Sequence, residues 1–119
     1  MAPGIEVKNF DSPDETRTPE NTKIEVVRVG GSEVGRFTFQ PGWKWSENIK
    51  PIVKTDSCQV AHLGYVVSGK LHVVHEDGTE GESGAGDIYS ISPGHDAWVV
   101  GDEPVVLIEF NKAGEYAKG

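Results

Sequence analysis

The chain has 119 residues, with 11 Lys and Arg against 19 Asp and Glu, a net charge of -8. That length suits one domain and can bury a core without disulfides, and the single cysteine, Cys58, has no partner for an internal bridge, which suits a reducing compartment. The acid excess argues against nucleic-acid binding, which rests on clustered Lys and Arg; with no basic n-region and no long apolar run, the sequence predicts cytoplasmic residence and no membrane partner.

In chain order, the alternation of Ile5, Val7 and Phe10 predicts a first edge strand. Residues 11–21 are polar and carry Pro13 and Pro19, which predicts a loop. Lys23 to Val29 reads as a strand in which Val26 and Val27 signal a register shift or bulge. Gly30-Gly31-Ser32 turns the chain into a partner strand, Val34 to Phe39. Pro41-Gly42 breaks that strand, and Trp43 to Pro51 reads as extended, so that Trp43 and Trp45 point to one side. Residues 52–56 read as loop. Val60 to Ser68 and Leu71 to Glu76 form a strand pair around Ser68-Gly69, and Asp77-Gly78 predicts a hairpin into Thr79 to Glu82. Ile88 to Ile91, Ala97 to Val100 and Val105 to Phe110 complete the strands, separated by turns at Ser83 to Asp87, Pro93-Gly94 and Gly101 to Pro104. Residues 112–119 are a polar tail that frays or caps. The organisation expected is an N-terminal strand and polar loop (1–22), a β-barrel (23–111) and the tail (112–119). Short strands with glycine-rich corners point to an all-β double-sheet jelly roll or small barrel.

Two stretches carry chemistry. Cys58 and His62 lie four apart, with Asp56 in the same parity, so an extended backbone presents all three on one face. His95 follows Pro93-Gly94 and can approach from another strand. Thiolate, imidazole and carboxylate together suit a divalent metal, with Zn²⁺ first and Fe²⁺ second. The plainer alternative is that Cys58 is a small buried hydrophobe, His62 a hydrogen-bonded interior residue and His95 a turn residue bonded to Asp96. His72 and His75, three apart on one strand, face opposite ways, so one of them faces the cavity. Trp43, Trp45 and Trp98 can line a pocket for a flat or apolar ligand, with Tyr65, His72 and Asp96 completing it; core packing or a subunit interface is the alternative for the tryptophans. There is no phosphate loop, nucleophile elbow or Cys-x-x-Cys, and the glycines of Gly81 to Gly86 join two strands and open no helix, which excludes a dinucleotide site.

Asp56-Ser57-Cys58, His62 to Gly69 and Gly86-Asp87 through Ile91-Ser92-Pro93-Gly94-His95 resemble the two motifs of the cupin superfamily. With Pro41 to Glu47 and Asp96 to Pro104, the chain resembles a branch of small single-domain cupins whose activity is not established. Aligned on Gly69, His62 stands at the family's glutamate position, while Cys58 and Asp56 stand where its two histidines usually are. The family's last histidine falls near Ala97, just after His95 and Asp96. The resemblance implies a cupin-like jelly-roll barrel, a homodimer and a metal held by Cys58, His62, His95 and Asp56. Two functions follow as expectations. One is a metal-binding cupin acting on a small organic molecule in the barrel, of isomerase, lyase or oxygenase type. The other is a non-catalytic cupin that binds a small ligand or a structural metal.

Overall fold

A computed structural model describes residues 4–110. Eleven elements follow in order: β1 (Glu15–Arg17), β2 (Thr22–Val29), β3 (Ser32–Phe39), α1 (Trp45–Asn48), α2 (Lys50–Val53), β4 (His62–Ser68), β5 (Lys70–His75), β6 (Glu80–Gly84), β7 (Ile88–Ile91), β8 (His95–Val99) and β9 (Val105–Glu109). They build an all-β double sheet. Six antiparallel strands run in the order β1-β2-β3-β9-β4-β7, and three in the order β6-β5-β8.

Period-two alternation decides which side chains lie between the sheets. Ile24 and Val26 of β2, Phe37 and Phe39 of β3, Val66 of β4, Leu71 of β5 and Val105 and Leu107 of β9 are all buried there. Each such side chain contributes about 1.5–3 kcal/mol by leaving water. Phe39 stacks on Trp43, with ring centroids 3.9 Å apart and planes 10° from parallel. The turn between β4 and β5 needs Gly69. Its φ is +79°, and a Cβ there would meet the Val105 Cα at 2.8 Å.

Three local expectations are corrected. Residues 5–10 form no strand, and Ile5 and Val7 are exposed. The strand lies later, at Glu15–Arg17, in the expected loop; those residues pair with Val26 to Ile24 and so occupy the edge of β2 that residues 5–10 would have needed. Val26 and Val27 mark no bulge: β2 and β3 pair without interruption from Thr22↔Phe39 to Val29↔Ser32, and Val27 is buried on the outer face. The segment after Trp43 is not extended but makes two helical turns. Trp45 and Ile49, four apart, thereby fall on one side and are both buried, while Pro51 sits in the first turn of α2, where its missing N–H costs nothing. The expected tail, 112–119, lies outside the described residues. Among the described residues, no helix is long and apolar enough to cross a membrane.

Candidate metal centre

Cys58 precedes β4 and is tied by backbone to the start of β8. Its N–H donates to the His95 carbonyl at 2.8 Å, and its carbonyl accepts from Gly94 N–H at 2.7 Å. This bridge sets residue 58 against residue 95. His62 opens β4, where inward positions are His62, Gly64 and Val66. His95 opens β8, where inward positions are His95, Ala97 and Val99. Ligand atoms of Cys58, His62 and His95 lie within 4.8 Å of one another, and all three residues are buried. The two imidazole rings meet edge to face, with centroids 5.0 Å apart.

Hydrogen bonds at the far side of each ring decide what the near side can do. His95 Nδ1 lies 2.9 Å from the Ser92 carbonyl oxygen. A carbonyl only accepts, so Nδ1 carries the hydrogen and Nε2 keeps its lone pair in the neutral ring. His62 Nδ1 lies 2.6 Å from Glu109 Oε1, while its Nε2 faces Cys58 Sγ at 3.5 Å. Glu109 is inward-facing on β9 and buried, and its other oxygen accepts from the Tyr89 hydroxyl at 2.6 Å. A continuous chain therefore runs Tyr89–Glu109–His62–Cys58.

That chain sets the charges. Burial alone would raise the Cys58 thiol, but hydrogen bonds and charge from His62 and His95 outweigh it and lower the pKa to about 6. Burial alone would lower His62, but Cys58 and Glu109 outweigh it and raise the pKa to about 10. Near neutral pH the metal-free pair is thiolate and imidazolium.

Tyr89 reaches Glu109 because Gly64 lies beneath it. Gly64 pairs with both Tyr89 and Glu109, and a Cβ at Gly64 would run into the Tyr89 hydroxyl and stand 2.8 Å from the Ile108 carbonyl oxygen. Beside the cluster is an internal cavity of about 20 Å³, walled in part by His62, His95, Glu109, Trp43 and Trp45. It has room for about one water-sized group. Trp43 Nε1 is the one buried side-chain nitrogen or oxygen among the described residues without a hydrogen-bond partner.

The remaining sequence expectations divide by strand parity. Asp56 does not join the cluster: it is exposed in the segment before the Cys58 bridge, and the grouped donors are Cys58, His62 and His95 alone. Trp43 and Trp45 do line the inner cavity. Trp98 and Asp96 alternate with the inward residues of β8 and so face outward. Trp98 stacks on His72 at 4.8 Å, with Lys44 Nζ 5.3 Å from its ring. Asp96 instead accepts from Ser46 N–H at 3.1 Å and so ties down α1. His72 pairs with Glu80 at 2.8 Å on the outer face, and Tyr65 is outward on β4 and exposed. His75, opposite His95 in register, is the histidine of that strand on the inward face. Glu109 and Tyr89 were not expected in the site. Glu109 had a signal: it is the acid that ends the apolar run from Val105, two residues from Leu107 and therefore in the inward parity.

No protein-family model matches the chain, and no curated protein matches it. Solved structures do. A Rhizobium leguminosarum protein of unknown function superposes with a TM-score of 0.65 at 18% identity, over 90% of this chain and 95% of that one. An oxalate decarboxylase of Lactobacillus farciminis, solved as a formate complex, gives 0.60 at 19% identity, covering 82% of this chain. One from Bacillus subtilis gives 0.59 at 23%, covering 87%. The chain spans only 30% and 29% of the lengths of these two decarboxylases. The likeness establishes the fold: this is a small all-β protein with the cupin architecture.

Proposed function

We propose that the protein is a metal-binding cupin in which Cys58, His62 and His95 hold one divalent ion, zinc first and iron second. The observation that carries this reading is the pair of back-anchored rings. Each histidine commits Nδ1 to an acceptor, Glu109 for one and Ser92 for the other, and so directs Nε2 toward the cysteine sulfur. Histidine ligands in metal sites are commonly oriented in this way by an outer carboxylate or carbonyl.

The donor set fits such an ion. One sulfur and two nitrogens favour zinc or iron over harder cations. Three protein ligands leave a coordination position open, and Trp43, whose Nε1 has no hydrogen-bond partner, is among the residues that line the cavity next to them. Bound there, the ion would supply Lewis-acid chemistry on an oxygen of a small organic molecule. The protein's own groups do the rest. Glu109 fixes the His62 tautomer, Tyr89 holds the second Glu109 oxygen, and Trp43 and Trp45 exclude bulk water.

A second reading, a metal that only stabilises the fold, is favoured by the cavity of about 20 Å³, which admits no organic substrate without movement. Metal analysis of protein purified without chelator, with Cys58→Ser and His62→Ala, tests the centre. Close to one equivalent in the parent and loss in both folded variants is expected; a metal-free parent after incubation with excess zinc or ferrous iron refutes it. Turnover with retained metal separates the two readings.

A further inference from the structure

The two sheets part at one side of the barrel, where β6 ends the three-stranded sheet and β7 ends the six-stranded one. Between them lies a cleft of about 400 Å³, a size that holds a small organic molecule. Val73 lies on one side, and Tyr89 and Ile91 on the other. Tyr89 and Ile91 also wall the inner cavity beside His62 and His95, so the cleft ends one layer of side chains away from the cluster. A molecule in the cleft would rest against Tyr89, the first member of the chain to Glu109 and His62.

The floor of the cleft is open by composition. Gly81 pairs with Val73 and so shares its inward face, yet a Cβ at Gly81 would meet nothing within 4 Å, and its φ is not left-handed. Neither backbone conformation nor packing demands glycine there. Glycine within a strand often marks where a ligand or another backbone comes close. Ser83 on β6, in register with the inward Leu71, adds a hydroxyl to the same cleft.

Charge selects among ligands. Of the acids around the cleft, Asp77 and Asp87 are the two not turned to the outer face, and no Lys or Arg lines it. Asp77 is held below the usual carboxylate range, chiefly by the Thr79 hydroxyl and backbone N–H. Glu80 and Glu82 are shared with His72 and Lys70 on the outer face, and Asp87 accepts from Gly84 N–H at 2.7 Å. The chain's net charge of -8 has the same sign and raises the local concentration of cations over anions.

We propose that the cleft between the β5–β6 hairpin and β7 binds a small organic cation carrying hydroxyl groups, an amine and not a carboxylate. The proposal rests on the metal-centre reading only for what happens beyond Tyr89; binding in the cleft stands by itself.

Three probes of one three-carbon skeleton test it: serinol as the cation, glycerol as the neutral form and glycerate as the anion. Each is titrated into the purified full chain while backbone amide shifts are followed, with metal content measured on the same samples. Serinol is expected to shift the amides of 81–83 and 89–91, glycerol to do so more weakly and glycerate not at all. Gly81→Phe should fill the floor and abolish binding with the metal content unchanged; if that variant does not fold, Ser83→Leu, also on the inward face, takes its place. Asp77→Asn, whose amide oxygen can still accept from Thr79, should weaken serinol roughly fivefold, the size of one screened charge at contact distance. Glycerate binding as tightly as serinol, no binding by any probe, or binding unaffected by filling the floor would each overturn the proposal. Serinol binding to a parent protein that stays metal-free after incubation with excess zinc or ferrous iron would leave the cleft standing and count against the metal centre.

Discussion

Glu109 offers the sharpest test of the site. It is buried, and its two oxygens accept from His62 Nδ1 and the Tyr89 hydroxyl, both at 2.6 Å. Glu109→Gln keeps the shape but removes the charge. A bond to a charged partner is worth about 1.5–3 kcal/mol and a neutral one about 0.5–1.5, so two downgraded bonds predict a loss of about 2–3 kcal/mol. Glu109→Ala removes the carboxylate that accepts from the buried His62 N–H and the Tyr89 hydroxyl, takes away the charge facing His62, and should cost about 3–5 kcal/mol. Against a typical domain stability of about 5–15 kcal/mol, the glutamine variant should fold and the alanine variant should be marginal. Urea melts of metal-free protein give these values. Two further readouts separate orientation from bulk stability. Without the carboxylate the His62 pKa should fall from about 10, and the Cys58 thiol should rise above about 6 as its imidazolium partner weakens; ultraviolet absorbance of the thiolate against pH follows this. Zinc affinity, read by competition with a chromophoric chelator, should drop about 10–100-fold. An unchanged urea midpoint together with unchanged thiolate titration and zinc affinity would refute the role assigned to Glu109.

The same pair predicts the pH dependence of the metal-free fold. Cys58 is lowered from 9.0 to about 6, so its contribution is complete above 9.0 and is lost as pH falls toward 6. His62 is raised from 6.5 to about 10, so its contribution is complete below 6.5 and is lost as pH rises toward 10. Between 6.5 and 9.0 the gain at Cys58 and the loss at His62 offset. Because the shifted Cys58 pKa depends on a charged His62, and both groups are charged only between about 6 and about 10, melts of Cys58→Ser against the parent should show the difference largest in that interval; a difference independent of pH would count against the ion pair. In that window the pair holds one proton that a metal must displace, so zinc affinity should rise about tenfold per pH unit, and calorimetry in buffers of different ionisation enthalpy should detect one released proton. Gly64→Ala forces a methyl against Tyr89 and the Ile108 carbonyl; a loss of about 1–3 kcal/mol is expected, and a variant as stable as the parent would show that Tyr89 does not lie where described. Tyr89→Phe removes one bond to the charged Glu109 and should cost about 1.5–3 kcal/mol, read by the same melts.

The strands that form the barrel were largely legible from the chain, because alternation and glycine turns are local signals. Period two puts His62 and Val66 on one face of β4 and Tyr65 on the other, against the expectation that Tyr65 joins the pocket, and it puts Glu109 in the parity of Leu107, a signal the expected site did not include. It could not say which face turns inward, since that depends on the partner sheet. Through the same ambiguity the expected pocket includes Trp98, His72, Asp96 and Tyr65, which lie outside it. Once His95 is fixed inward by the Cys58 bridge, Asp96 and Trp98 must point out, and His72 follows Trp98 because the two are opposite in register. The first strand lies later than the alternation suggests for a related reason. Apolar alternation at residues 5–7 makes a strand only where an edge is free, and residues 15–17 hold that edge. Sequence alone determined an acidic, all-β chain with one thiol and a few histidines that could meet. The tertiary structure decided which ones do meet and what orients them, because a three-residue cluster drawn from a loop and two strands, with a carboxylate from a third, is set by pairing across 37 positions between Cys58 and His95 and by no spacing along the chain.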